Sequence, residues 1–117
     1  MIKGIGLDVT ELDRVATTNR RTSKFVERIL TTRELDRWST LNEHRQIEFL
    51  AGRFAAKEAF AKALGTGIGK ECSFQDIEVL PNPNGKPMLY FKGQLVTGHV
   101  SITHTKQFAA AQVILLE

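Results

Sequence analysis

The chain has 117 residues, 42% of them hydrophobic and 25% charged, the proportions of one soluble globular domain with no room for a second. Sixteen Lys and Arg against thirteen Asp and Glu leave a net charge of +3, a mild excess that favours an anionic partner without naming it. The single cysteine, Cys72, excludes a disulfide framework and a cysteine-based zinc site, no apolar run reaches the roughly 18 residues of a membrane span, and no basic leader with an apolar core opens the sequence, so the expectation is a cytoplasmic protein with no membrane partner.

A strand is expected first, over residues 2–9, where strict alternation places Ile5, Leu7 and Val9 on one face and Gly4, Gly6 and Asp8 on the other. Asp8 therefore projects from a bare face. Thr10 and Asp13 have the spacing of a capping box, which predicts a short helix from Glu11 with Leu12 and Val15 turned inward. A second helix over residues 23–30 and a third after Thr31, where Thr31 and Glu34 repeat the capping-box pattern, are short and amphipathic. Asn42 precedes the longest helical pattern, Glu43–Leu64, rich in Ala, Leu, Glu, Lys and Arg and stopped by Gly65. Beyond it, Ile77 and Val79, the turn-rich residues 81–85 and residues 88–91 read as a hairpin, and residues 99–105 and 109–116 as two more strands. Strands at both ends around a helical first half predict an α+β fold: one domain over residues 1–117 with a mostly antiparallel sheet packed on a long central helix.

On that helix Ile47, Leu50, Phe54, Ala61 and Leu64 keep the three-four spacing of a buried stripe, and the position that continues it between Phe54 and Ala61 is Glu58. This carboxylate either pairs with Lys62 in the favourable Glu-before-Lys order or, since Arg53, Lys57 and Lys62 crowd the same turns, holds a metal whose phosphate ligands the cations contact. Asp8 supplies a second acid, and the glycines beside it either admit the long helix or let a ligand approach. Two carboxylates from separate elements, with no His or Cys cluster, favour a hard cation such as Mg²⁺ over zinc. Residues 65–70 have phosphate-loop composition but lack the preceding strand and the Lys-Ser or Lys-Thr ending, and read as a helix-to-strand connection. His104, at the end of an alternating strand, is open to a structural or a functional role. Arg14, Arg21 and Arg28 recur every seven residues with Lys24 between them; if the first two helices are nearly continuous, they share a face suited to an acidic partner. Few exposed-looking aromatics and no standard binding motif argue against nucleic acid.

Taken in order, Gly4-Ile-Gly-Leu-Asp8-Val-Thr-Glu-Leu-Asp-Arg14, Phe49-Leu-Ala-Gly-Arg53-Phe-Ala-Ala-Lys57-Glu58-Ala-Phe-Ala-Lys62-Ala63, Asn84-Gly-Lys-Pro87 and Val100-Ser-Ile-Thr-His104-Thr105 resemble the small bacterial-type 4′-phosphopantetheinyl transferases, the holo-(acyl-carrier-protein) synthase family. The resemblance spans essentially the whole chain. It implies transfer of the phosphopantetheine arm of coenzyme A to a serine hydroxyl of apo acyl carrier protein, with Mg²⁺ required and adenosine 3′,5′-bisphosphate released. It also implies Asp8 and Glu58 as metal ligands, Glu58 and Lys62 as catalytic groups, and Arg53, Lys57, Lys62, Gly85, Lys86, Pro87, His104 and Thr105 around coenzyme A. Arg14, Arg21, Lys24 and Arg28 become a docking face for the acidic carrier protein. A homotrimer with sites between subunits is implied too, which suits a chain that buries only about two thirds of its unfolded surface; the apolar strand over residues 109–116 is expected at the contact. The expected acceptor of the serine proton is Glu58 or a metal-associated water that it positions. A polyanion-binding module with no use for Asp8 or Glu58 is the competing class.

Overall fold

In a computed structural model that describes residues 1–117, strand β1 (Ile2–Glu11) leads into three short helices, α1 (Leu12–Arg21), α2 (Lys24–Ile29) and α3 (Thr32–Trp38), and then into α4 (Glu43–Leu64). A 3-10 turn (Phe74–Asp76) opens the second half, β2 (Ile77–Pro81), β3 (Pro87–Phe91), β4 (Gln94–Leu95), β5 (Gly98–His104) and β6 (Phe108–Leu116). The strands form two antiparallel sheets in place of the one expected, ordered β1-β6-β5 and β2-β3-β4. The two-residue β4 is too short for alternation to reveal it.

Asn42 caps α4 by accepting from the Arg45 amide at 3.0 Å, and Gly65, with φ +94, ends it. The expected buried stripe is only partly the surface that packs. Ile47, Phe54 and Leu64 are half-buried, whereas Ala51, Ala55 and Ala59 are fully enclosed. These alanines recur every four residues, a rise of about 6 Å along the helix, close to the roughly 6.7 Å that two strand residues span. Gly4 and Gly6 of β1 therefore seat on Ala63 and Ala59 in step, so closely that a Cβ on either glycine would overlap the carbonyl oxygen beneath it. The bare face of β1 is thus the covered face. Its branched face points outward, with Ile5, Leu7 and Val9 56%, 57% and 59% exposed.

Helix α4 serves two cores. Ala55, Ala59 and Phe60 pack with Ile77, Val79 and Leu89 of one sheet and Ala111, Val113 and Leu115 of the other. Nearer its start, Leu50 and Ala51 pack with Leu12, Val15, Val26, Ile29 and Leu30 of the short helices. Central strand β6 buries Ala109, Ala111, Val113 and Leu115 on α4, while Ala110, Gln112, Ile114 and Leu116 continue the open face of β1.

The Thr31–Glu34 capping box forms as its spacing predicts, but the one at Thr10 and Asp13 does not. Strand β1 runs on through Glu11, paired with Phe108, and Thr10, two residues from Asp8 and on the same face, donates to Asp8 Oδ2 at 2.8 Å. Nor are α1 and α2 continuous, because Thr22 is extended at φ −151, ψ 128. Arg14 and Arg21 ride on one helix, Lys24 and Arg28 on the next; all four are exposed and none has an ion-pair partner.

Candidate active site

Asp8 leaves the covered face of β1 just past Gly6, and Glu58 and Lys62 come from successive turns of α4. The three line one cavity of about 480 Å³, whose walls also include Arg14, Phe25 and Phe54. Lys62 does not take the helical pairing with Glu58. Its Nζ reaches across to β1, donating to Leu7 O at 2.9 Å and Asp8 Oδ1 at 3.3 Å. Asp8 is thereby fixed through both oxygens, one by Lys62 and one by Thr10, while Glu58 has no ion-pair partner. Burial, and then the Asp8 charge, hold the Glu58 carboxyl above the usual glutamate range against the opposing pull of Lys62. No third His, Cys, Asp or Glu joins the pair. Two acids that line one cavity fit Mg²⁺, which takes one or two carboxylates and completes its shell with water and phosphate oxygens.

Lys57 corrects the expected set of coenzyme A ligands. It is fully buried, and its Nζ donates to Ile29 O at 2.6 Å, Glu34 Oε1 at 2.6 Å and Phe74 O at 3.0 Å. Glu34, equally buried, also accepts from the Thr31 and Val79 amides, each at 2.8 Å. All three ammonium protons are used, so none is open to a phosphate. At about 100° per residue Lys62 points roughly 140° away from Lys57, and the cations that crowd one stretch of sequence do not all share one face.

Arg53 and His104 line a different, smaller cavity of about 140 Å³, with Arg37, Arg45 and Glu48. The Arg53 guanidinium lies 4.1 Å from the Phe49 ring centroid, and its Nε is buried without an acceptor. Burial lowers its pKa to about 10, against the pull of Glu34 and with the help of Arg37. Glu48 is the one acid lining the cavity, meeting His104 Nδ1 at 3.3 Å, His44 Nε2 at 3.4 Å and Arg45 Nε at 3.6 Å. Three arginines and a histidine around one acid make this cavity suited to an anion. No local pattern marks Arg37, Arg45 or Glu48, since only the packing of α3 on α4 and of α4 on β5 brings them to His104. Thr105 shapes the β5–β6 turn, accepting from the Gln107 and Phe108 amides at 3.2 and 3.1 Å. Gly85, Lys86 and Pro87 close the β2–β3 hairpin, where Asn82 Oδ1 accepts from the Asn84 and Lys86 amides, each at 2.9 Å. Within one chain the turn and the hairpin stand outside both cavities.

Residues 4–114 match the 4′-phosphopantetheinyl transferase superfamily. The holo-[acyl-carrier-protein] synthase of Bacillus subtilis strain 168 is 60% identical over 116 residues, covering 98% of this chain and 96% of its own. Among solved structures, a holo-(acyl-carrier-protein) synthase from Bacillus anthracis in complex with CoA (3′,5′-ADP) aligns with a TM-score of 0.88 at 51% identity, over 98% of this chain and 96% of that one. The Helicobacter pylori holo-[acyl-carrier-protein] synthase in complex with coenzyme A aligns at 0.83 with 33% identity, over 96% and 99% of the two chains. With likeness of this degree running the full length of both sequence and fold, the chain belongs to the 4′-phosphopantetheinyl transferase superfamily.

Proposed function

We propose that this protein transfers the 4′-phosphopantetheine moiety of coenzyme A to a serine hydroxyl of apo acyl carrier protein, in a Mg²⁺-dependent cytoplasmic reaction that releases adenosine 3′,5′-bisphosphate. The observation that carries this reading is the meeting of Asp8, from a strand, and Glu58, from a helix, on one cavity that Lys62 also lines, its Nζ 3.3 Å from Asp8 Oδ1. Relatives named for this activity, two of them solved with coenzyme A or its nucleotide, support it. The serine oxygen bonds to the pantetheine-side phosphorus as the pyrophosphate P–O bond to the adenosine bisphosphate breaks, and the serine proton passes to Glu58 or to a water that it positions. Lys62 stabilises charge that builds on the phosphate oxygens. Mg²⁺, when held by Asp8 and Glu58, supplies Lewis-acid stabilisation of the same oxygens. Arg53 and His104 receive the anionic nucleotide end, and Thr105 with Gly85, Lys86 and Pro87 completes the contacts to coenzyme A. Incubation with coenzyme A, Mg²⁺ and apo acyl carrier protein should add the phosphopantetheine mass to the carrier by mass spectrometry; a carrier left unmodified would overturn the reading.

The acidic carrier docks on the unpaired cations of α1 and α2. Reversing the charge of Arg14 or Arg21 should raise the KM for carrier protein with little change in that for coenzyme A, and added salt should shrink the difference by screening. Equal effects on both substrates would instead assign these residues to the fold or the coenzyme site.

The assembly is a homotrimer whose active sites lie between subunits. Supporting this are the open apolar face of Ile5, Leu7 and Val9 beside β6 and the two separate cavities that hold the carboxylates and the Arg53–His104 group. Mixing a Glu58→Gln protein with a His104→Ala protein should restore activity in hybrid trimers, because one interface then unites an intact Glu58 with an intact His104 from the neighbouring chain. Light scattering that shows an active monomer at assay concentration would refute the shared site.

A further inference from the structure

We infer that Gln75 is a positioning residue that anchors the carrier-docking helix α2, an inference that rests on the docking role of Lys24 and Arg28. Helix α2 has six residues, too few to persist on its own hydrogen bonds, and a helix leaves its last four carbonyls without intrahelical donors. Here every carbonyl from Val26 to Leu30 has a donor. Val26 O accepts from the Leu30 amide at 2.9 Å, and Ile29 O from Lys57 Nζ at 2.6 Å. Gln75 Nε2 serves the other three, at 2.8 Å from Glu27 O, 3.2 Å from Arg28 O and 2.8 Å from Leu30 O. An amide group has two protons, so one of them is shared.

Both anchoring side chains come from distant parts of the chain, and Gln75 comes from a turn that is itself fixed. Ser73 and Asp76 cap that turn reciprocally, and Phe74 O accepts from Lys57 Nζ at 3.0 Å. The Phe74 ring stacks on Phe54 with centroids 5.4 Å apart, and Phe54 meets Phe25 of α2 at 6.3 Å. Aromatic contact thus holds the start of α2 and the Gln75 amide holds its end, with Lys24 and Arg28 on the solvent side. The Gln75 side chain lines neither cavity. Without its amide, three carbonyls lose their donor, the end of α2 opens more often, and the carrier must order that helix as it binds.

Gln75→Met keeps the length and neutrality of the side chain and removes both donors. In the phosphopantetheine-transfer assay it should raise the KM for carrier protein about fivefold, the scale of one net hydrogen bond, with kcat and the KM for coenzyme A unchanged. Because no charge is altered, the increase should persist at high salt, whereas the effect of Arg28→Glu should shrink. Hydrogen exchange should quicken at the Ile29 and Leu30 amides and not along α4. An unchanged carrier KM in Gln75→Met, with Arg28→Glu still raising it, would overturn the inference and leave the docking surface standing. A rise for both substrates together would make Gln75 a support of the fold and overturn it equally. If neither Lys24→Glu nor Arg28→Glu raises the carrier KM, the docking reading fails and the inference falls with it.

Discussion

Replacing Glu58 by Gln or Asp8 by Asn is expected to lower turnover by at least about a hundredfold, through loss of electrostatic stabilisation of the transition state, while leaving the protein folded. Glu58→Gln is the cleaner of the two. Glu58 has no ion-pair partner to lose, and its charge is opposed by burial and by Asp8, so the neutral amide should hold or raise the thermal midpoint while abolishing activity. A residue retained for packing would show the reverse, lost stability with residual activity. Asp8→Asn removes the partner of Lys62 as well, and some loss of stability should accompany its loss of rate. Both follow from the rate of carrier modification by mass spectrometry and from calorimetry of the free protein. Undiminished wild-type turnover in excess chelator would remove the metal from the reading and leave the two acids to be explained by proton transfer alone.

Gly6→Ala should be the most damaging small substitution in the chain. Its new Cβ would overlap the Ala59 carbonyl oxygen and crowd the Ala63 amide nitrogen at 2.8 Å, and backbone cannot swing aside as a long side chain can. The cost is about 3 kcal/mol or more, a fall in Tm of more than about 10 °C. Any molecules that fold should also be slow, because β1 must lift from α4 and carry Asp8 away from Glu58, and a misplacement of about 1 Å costs roughly a hundredfold in rate. Gly69, where a Cβ meets nothing within 4 Å, supplies the control: Gly69→Ala should leave both quantities near those of the wild type. A Gly6→Ala protein as stable as this control would contradict the close seating of strand on helix.

The elements that short-range chemistry determines are readable in the sequence. The Thr31–Glu34 box, the Asn42 and Gly65 ends of α4, the β2–β3 hairpin and strands β5 and β6 all stand where capping, turn residues and alternation put them. Asp8 and Glu58 are readable for a related reason, since one projects from a glycine face and the other interrupts an apolar stripe, and the two meet on one cavity. What alternation cannot say is which face of β1 is covered. That depends on the alanines of α4, whose small side chains contribute little to a hydrophobic stripe yet permit the closest approach. Lys57 is misread for want of a long-range partner, because Glu34 lies 23 residues away and nothing near Lys57 announces it. The Arg53–His104 cavity is hidden in the same way, its members scattered over α3, α4 and β5.

Lys57 and Glu58 are sequence neighbours with opposite destinations, and that contrast bears on how α4 chooses its rotation. Ala51, Ala55, Ala56, Ala59, Ala61 and Ala63 give the helix small side chains on several faces, so apolar contact alone distinguishes weakly between one angular setting and the next. Turned by one residue, about 100°, α4 would aim Glu58 at Ile29 O, Phe74 O and Glu34, acceptors that now share the three protons of Lys57. Oxygen would face oxygen with no hydrogen between them, in an interior where an uncompensated charge costs several kcal/mol. A buried ion pair adds little to net stability, because desolvation offsets its attraction. Its effect lies in penalising the competing packing: the ammonium keys the helix in its socket, and a fully buried residue thereby bears on the next one along lining the cavity of Asp8.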